Sequence, residues 1–325
     1  MLCLLVQPIH PDGIKVLENA GLDVRQASEP TMDCVVREVG PAIAAITRNA
    51  GFSRTAMDAA PHLKVLGNHG IGLDPVDVGY AAEIGLPIVF TPHANVQSVA
   101  EQTIAQMMAI AKRTREADAA VRENRFDYRY TRDFVELSGK TLLVLGFGTI
   151  GRRTAELASA AFGMRVLVHS PNADPAAIVD AGFTVAPDLK VALGEADVVS
   201  LHQRLTPQTR GLLDREAFSA MKPGAMLVNT ARGAIVDTDA LVEAVTSGHL
   251  RGAAMDVFDA EPLPADHPFI TTPGIVLSPH IGGATEDALV RTAVETAQQV
   301  VAVLKGEKPP HLVDKSGWPR RRLAA

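Results

Sequence analysis

Three short segments hold residue types that together could do acid, base and anion chemistry. Asn229, Thr230, Ala231, Arg232 and Gly233 follow one apolar run. Asp256, Val257, Phe258, Asp259, Ala260, Glu261 and Pro262 follow the next, and Ser278, Pro279, His280, Ile281, Gly282 and Gly283 follow a third. An arginine offers a planar fork of donors that fits a carboxylate, a histidine gives or takes a proton near neutral pH, and a glutamate beside it favours the charged ring. Taken singly, Arg232 reads as a salt-bridged surface residue and His280 as a helix cap. Their joint appearance at three successive strand ends reads as a catalytic set of Arg232, Glu261 and His280. Asp259, two residues before Glu261, is the rival partner for the histidine.

A fourth segment points to a dinucleotide. Leu142 to Leu145 run directly into Gly146, Phe147, Gly148, Thr149, Ile150 and Gly151, followed by a helical pattern from Arg152 to Phe162. In such a loop the first glycine allows a tight turn, the second lets backbone amides approach a pyrophosphate, and the third lets helix pack on strand. The helix then turns its positive dipole end toward the phosphates. The next apolar run, Val166 to His169, ends at Ser170, roughly 20 residues past the glycines, where an acidic residue would read the adenosine ribose. Ser170 lacks that carboxylate, and Pro171, Asn172 and Ala173 bring no arginine for a 2′-phosphate. NAD is the expected cofactor, with NADP as the alternative.

These groups need rigid elements behind them. Leu142–Leu145, Val166–Val168, Val198–Leu201, Met226–Val228, Ala253–Val257 and Ile275–Leu277 read as strand cores, apolar on both faces as in a parallel sheet covered by helices. The candidate residues then lie at the carboxyl edge of a doubly wound sheet, where ligands bind in open α/β folds. Before this, residues 2–98 alternate short apolar runs (Leu4–Val6, Ala44–Ile46, Val65–Leu66, Ile88–Val89) with helical stretches, a small α/β domain of its own. Val99 to about Arg122 reads as one long helix without proline or glycine. Ala284 to Leu304 reads as a second, whose place beyond the last strand suggests a return to the first domain. The expected division is 1–98 with 284–325, and 99–283.

The bulk properties narrow the function classes. A chain of 325 residues exceeds one comfortable core, and 47% hydrophobic with 21% charged residues is ordinary for a globular protein. A net charge of −6 argues against nucleic acid or an acidic bilayer as partner. No apolar stretch approaches the roughly 20 residues of a membrane span, and Met1 to Val6 is too short for a signal peptide. Cys3 and Cys34 cannot staple a chain of this size, which suggests a reducing cytoplasm. No metal is expected, since His10, His62, His93, His169, His249, His267 and His311 show no ligand spacing. The basic triplet Arg320–Arg322 reads as solvated.

With the glycine loop, the Asn229–Gly233 segment, the Asp256–Pro262 segment and the Pro279–Gly283 segment in this order, the sequence resembles the D-isomer-specific 2-hydroxyacid dehydrogenase family, which includes phosphoglycerate dehydrogenase and glyoxylate/hydroxypyruvate reductase. The resemblance covers nearly the whole chain. It implies an α/β protein of two domains, a Rossmann-type nucleotide-binding domain and a smaller, flavodoxin-like, discontinuous substrate domain, hinged at the two long helices and dimerising through the cofactor domains. It implies that Arg232 clamps the substrate, His280 is the general acid and base, and Glu261 pairs with His280. Cofactor contacts carry over to Gly146, Gly148, Thr149, Ile150, Gly151, Ser170, Gln203, Thr230, Asp256 and Gly283. The stretch from Asn68 through Gly70, Ile71 and Gly72 to Asp74 is similar to the loop whose amides receive the substrate carboxylate.

Two departures from the family pattern bear on the substrate. Asn68 stands where phosphoglycerate-oxidising members tend to carry a basic residue, and their extra regulatory domain has no counterpart in this sequence. Arg48 remains as a group that could meet a second anion. The implied reaction is hydride transfer between NAD(P)(H) and a small D-2-hydroxy acid or 2-oxo acid of the glyoxylate, hydroxypyruvate or 3-phosphoglycerate class. Two rivals share the fold: a dinucleotide-sensing corepressor, and a formate dehydrogenase, which would carry glutamine in place of Glu261.

Overall fold

The computed structural model describes residues 1–322. The chain forms two compact units, Met1–Asn95 together with the segment from Gly283 onward, and Val96–Gly282. The boundaries fall three residues and one residue earlier than the expected division, because the helix opening the second unit starts at Val96 rather than Val99. The expected range to 325 ends in three residues that lie outside those described.

In the first unit, strands β1 (Leu2–Leu5), β2 (Asp23–Gln26), β3 (Ala42–Thr47), β4 (Val65–Asn68) and β5 (Ile88–Val89) form a parallel sheet in the order β2-β1-β3-β4-β5. That order is the flavodoxin-like one. β2 escapes the sequence pattern because it is a polar edge strand, Asp-Val-Arg-Gln, with one side open to water. The sheet is buried on both faces. The helix Glu286–Leu304, capped by Thr285, covers one of them: Ala293 packs against Gly13 of the helix Pro11–Asn19 so closely that a Cβ at Gly13 would lie 2.7 Å from it. The chain after it lies along the sheet edge, where Leu312 bridges Val89 in antiparallel sense. The basic triplet is not simply solvated. Arg321 stacks 4.1 Å over the Trp318 ring, and the Arg322 amide donates to the Gly85 carbonyl at 2.7 Å.

In the second unit, β6 (Thr141–Leu145), β7 (Arg165–His169), β8 (Thr184–Val185), β9 (Val198–Leu201), β10 (Met226–Asn229), β11 (Gly252–Met255) and β12 (Ile275–Leu277) form a parallel sheet ordered β12-β11-β10-β9-β6-β7-β8. This is the doubly wound arrangement expected from the apolar runs, with the order reversing between β6 and β9. Alternation along β6 feeds two cores, Leu143 and Leu145 on one face and Leu142 and Val144 on the other.

The single long helix of the sequence reading is two. Val96–Lys112 and Thr114–Arg122 are separated by Arg113 in the left-handed region, φ 48°. No glycine or proline marks the break. The Arg113 guanidinium donates to Asp133 at 2.8 Å and to the Arg251 carbonyl at 2.9 Å, so tertiary hydrogen bonds fix a conformation that local propensity opposes. Among the described residues no helix is long and apolar enough to cross a membrane.

Candidate active site

At the carboxyl edge of the second sheet, Asn229 closes the turn that carries Arg232. Its side-chain oxygen accepts from the Ala231 amide at 2.9 Å and its nitrogen donates to the Arg232 carbonyl at 2.8 Å. Gly233 is a glycine for want of space: a Cβ there would lie 2.1 Å from the Phe258 carbonyl carbon. That close approach brings the arginine segment against the segment leading to Glu261.

Glu261 and His280 are partners. His280 Nδ1 and Glu261 Oε2 are 2.7 Å apart, with both side chains about one-third exposed, at 33% and 31%. The other carboxylate oxygen accepts from the Phe258 amide at 3.0 Å. Burial raises the Glu261 carboxyl. The hydrogen bonds from His280 and Phe258 and the charges of His280 and Arg232 outweigh it, and hold the group below the ordinary carboxylate range. Asp259, the rival partner, is 69% exposed and faces Arg210 at 3.7 Å.

The histidine sits in a strained backbone conformation that a buried carboxylate helps to hold. His280 has φ 54°, a left-handed conformation that costs a non-glycine residue roughly 1–3 kcal/mol and persists only where its surroundings impose it. Its amide donates to the Asp256 carbonyl at 2.8 Å. The Asp256 side chain, 1% exposed, accepts from Ser278 Oγ and from the amides of Ile281 at 3.0 Å and Gly282 at 2.8 Å. Asp256, expected among the cofactor contacts, therefore organises the loop that carries His280. From the helix Val96–Lys112, Gln106 donates to Ser278 Oγ at 2.8 Å and Ser98 to the Gly282 carbonyl at 2.5 Å. Sequence reasoning gave no role to Ser98, Gln106 or Ser278. The only available signal was polar residues, Gln102 and Gln106, one helical turn apart in an otherwise apolar pattern.

The glycine loop has room for a ligand. Gly146, at φ 98°, and Gly151 are sterically required, since a Cβ would lie 2.9 Å from His202 backbone at the first and 2.1 Å from the Gly146 carbonyl oxygen at the other. Over Gly148 a Cβ would meet nothing within 4 Å. The helix Thr149–Phe162 starts there with no side-chain cap, leaving the Thr149 and Ile150 amides for an anion. Gln203 Oε1 is buried without a partner beside the loop. This open cradle, uncapped helix and orphaned acceptor fit a dinucleotide. His202 beneath it bonds Ser200 Oγ at 2.8 Å, and burial pushes its ring down to about 3, so it packs as a neutral group.

The remaining expected contacts fall as follows. Thr230 bonds Thr103 Oγ1 at 3.0 Å, and because Thr103 donates to the Val99 carbonyl, Thr230 is the donor and keeps only acceptor capacity. Gly283 opens the returning segment of the first unit, where a Cβ would lie 2.8 Å from Asn95 Nδ2. Ser170 Oγ accepts from the Phe147 amide at 3.1 Å, which fixes the turn and leaves its hydroxyl proton to donate. In the first unit, Asn68 donates to the Gly70 and Gly72 carbonyls at 3.1 and 3.0 Å, shaping the loop that holds Gly70 and Ile71. Arg48 follows β3 at the same sheet edge and donates to the Pro8 carbonyl at 2.9 Å.

Replacing Ser170 by Asp is expected to keep the bond to Phe147 while adding a carboxylate that accepts from a ribose diol and repels a 2′-phosphate. One such charge pair is worth about 1–4 kcal/mol. The NADH to NADPH ratio of kcat/KM should then rise roughly tenfold or more, and an unchanged ratio would mean that the adenosine ribose is read elsewhere.

Residues 104–282 match the family model described as D-isomer specific 2-hydroxyacid dehydrogenase, NAD binding domain. The chain is 35% identical to the D-3-phosphoglycerate dehydrogenase of Methanocaldococcus jannaschii over 98% of its own length, but spans only 60% of that protein. It is 40% identical to the glyoxylate reductase of Thermofilum pendens over 80% of this chain and 77% of the relative. A crystal structure of a Thermus thermophilus protein superposes with a TM-score of 0.89 at 37% identity, covering 97% of this chain and 100% of that one.

Proposed function

The chain belongs to the D-isomer specific 2-hydroxyacid dehydrogenase family, and from that premise we propose that it is an NAD-dependent oxidoreductase interconverting a small D-2-hydroxy acid and its 2-oxo acid. The observation that carries this reading is the 2.7 Å pair of His280 and Glu261, with the Arg232 charge acting on the same carboxylate. Arg232 receives the substrate carboxylate. His280 gives its proton to the carbonyl oxygen in reduction and takes it back in oxidation, and Glu261 favours the charged ring. Bound NADH supplies the hydride.

Glu261 favours this reading over a formate dehydrogenase, and the complete set of Arg232, Glu261 and His280 favours it over a dinucleotide sensor. We assign the enzyme to the cytoplasm, in keeping with two buried free thiols. It pairs as a homodimer, in keeping with the exposed Val121, Phe126, Tyr130 and Phe134 within one short stretch of the second unit. The test is NADH oxidation by the purified chain offered glyoxylate, pyruvate, hydroxypyruvate and 3-phosphohydroxypyruvate. Turnover with at least one is expected; NADH binding without turnover of any would favour the sensor.

A further inference from the structure

Two glutamines one turn apart on the helix Val96–Lys112 converge on a single hydroxyl in the loop that carries His280. Gln106 Nε2 lies 2.8 Å and Gln102 Nε2 3.3 Å from Ser278 Oγ, which is itself bonded to Asp256 Oδ1. A serine hydroxyl has one proton and two lone pairs, and a carboxylate accepts. With amide donors on both lone pairs, the Ser278 proton is left for Asp256. Gln106 is 3% exposed, on a helix face shared with the buried Thr103, Met107 and Ile110, and its Oε1 is buried without a hydrogen-bond partner. Burying an amide with half of its capacity unmet costs stability that an apolar side chain of similar size would not. What the glutamine adds over such a side chain is the donor to Ser278.

We propose that Gln106 is a positioning residue for His280, acting through Ser278 and Asp256. This rests on the function proposed above, which gives His280 its acid–base part. The Asp256 carboxylate grips the loop on both sides of the histidine: Ser278 stands two residues before it, and the amides of Ile281 and Gly282, bonded at 3.0 and 2.8 Å, follow it. His280, at φ 54°, persists in its conformation only where the surroundings impose it. With the Ser278 hydroxyl free to rotate, the leading side of the grip opens, and the strained residue relaxes away from the geometry that sets its ring 2.7 Å from Glu261. Gln106 stops that rotation. Ser98, donating to the Gly282 carbonyl at 2.5 Å from the same helix, fixes the trailing side separately.

The experiment compares wild type, Gln106→Met, Ser278→Ala, Ser278→Thr and the variant carrying both Gln106→Met and Ser278→Ala, on the 2-oxo acid that the wild type reduces fastest. A misplacement of about 1 Å costs on the order of a hundredfold, and a loosened grip displaces the ring by less, so Gln106→Met should lower the single-turnover rate of NADH oxidation roughly three- to tenfold and Ser278→Ala roughly tenfold or more. KM and NADH affinity should stay within about twofold. Gln106→Met should melt no lower than wild type, since it removes a buried atom without a partner. Ser278→Thr keeps the hydroxyl and should recover most of the rate. Because Gln106 acts through Ser278, the double variant should lose little more than Ser278→Ala alone. An unchanged rate in Gln106→Met, losses that multiply in the double variant, or a rate loss that comes with a lower melting temperature and a raised KM overturns the proposal. Amide hydrogen exchange of Ile281 and Gly282 needs no turnover, and should be faster in Gln106→Met and Ser278→Ala. If the wild type reduces no 2-oxo acid, the function proposed above falls and the exchange alone decides: faster exchange in the variants sustains the relay from Gln106 to the loop, and unchanged exchange removes it.

Discussion

Arg232→Ala is expected to lower kcat/KM for 2-oxo acid reduction on the order of a hundred- to ten-thousandfold, from the loss of two charge-assisted hydrogen bonds of about 1.5–3 kcal/mol each. The clamp does more than bind. A carboxylate held by a fork of donors presents its carbonyl in one orientation, and an error of about 1 Å in that orientation alone costs on the order of a hundredfold. Lysine should rescue poorly, because a point charge on a flexible stem does not reproduce the fork. The variant should fold normally, since the turn that carries Arg232 is closed by Asn229 through the backbone of residues 231 and 232. Thermal melting and NADH affinity check that point. Near wild-type kcat/KM on the best substrate would remove Arg232 from the site.

His280→Gln is expected to cost on the order of a hundred- to ten-thousandfold in both directions of the reaction, the usual contribution of a positioned general acid or base. Reduction consumes a proton that His280 gives and oxidation returns one to it, so the single substitution should cost both directions alike. Glu261 is held below the ordinary carboxylate range. Its contribution to stability has the sign of a depressed acid. It is present above the unfolded value of about 4.3 and is lost as pH falls through the lower folded value.

Arg232, Glu261 and His280 could be found in the sequence because each follows an apolar strand by a few residues, and strand ends of a parallel sheet converge on one edge. The glycine loop was legible for the same reason, with strand before and helix after. What could not be read were roles set by burial and distant partners. Asp256 reads as a ligand contact but spends its oxygens on Ser278, Ile281 and Gly282. Gln106 and Ser98 read as ordinary helix residues until the fold brings Ser278 and Gly282 against them. The helix break at Arg113 is written in Asp133 and the Arg251 carbonyl, both far along the chain. β2 lacks the apolar pattern because an edge strand has no need of it.

The central claim, that His280 and Glu261 act as one acid–base unit in hydride transfer, is tested most directly by kcat/KM for reduction in wild type, Glu261→Gln, His280→Gln and the double variant at saturating NADH. Groups that act as a unit are non-additive, so the double variant should lose little more than His280→Gln alone. Losses in the double variant that multiply as those of two independent groups would contradict the account.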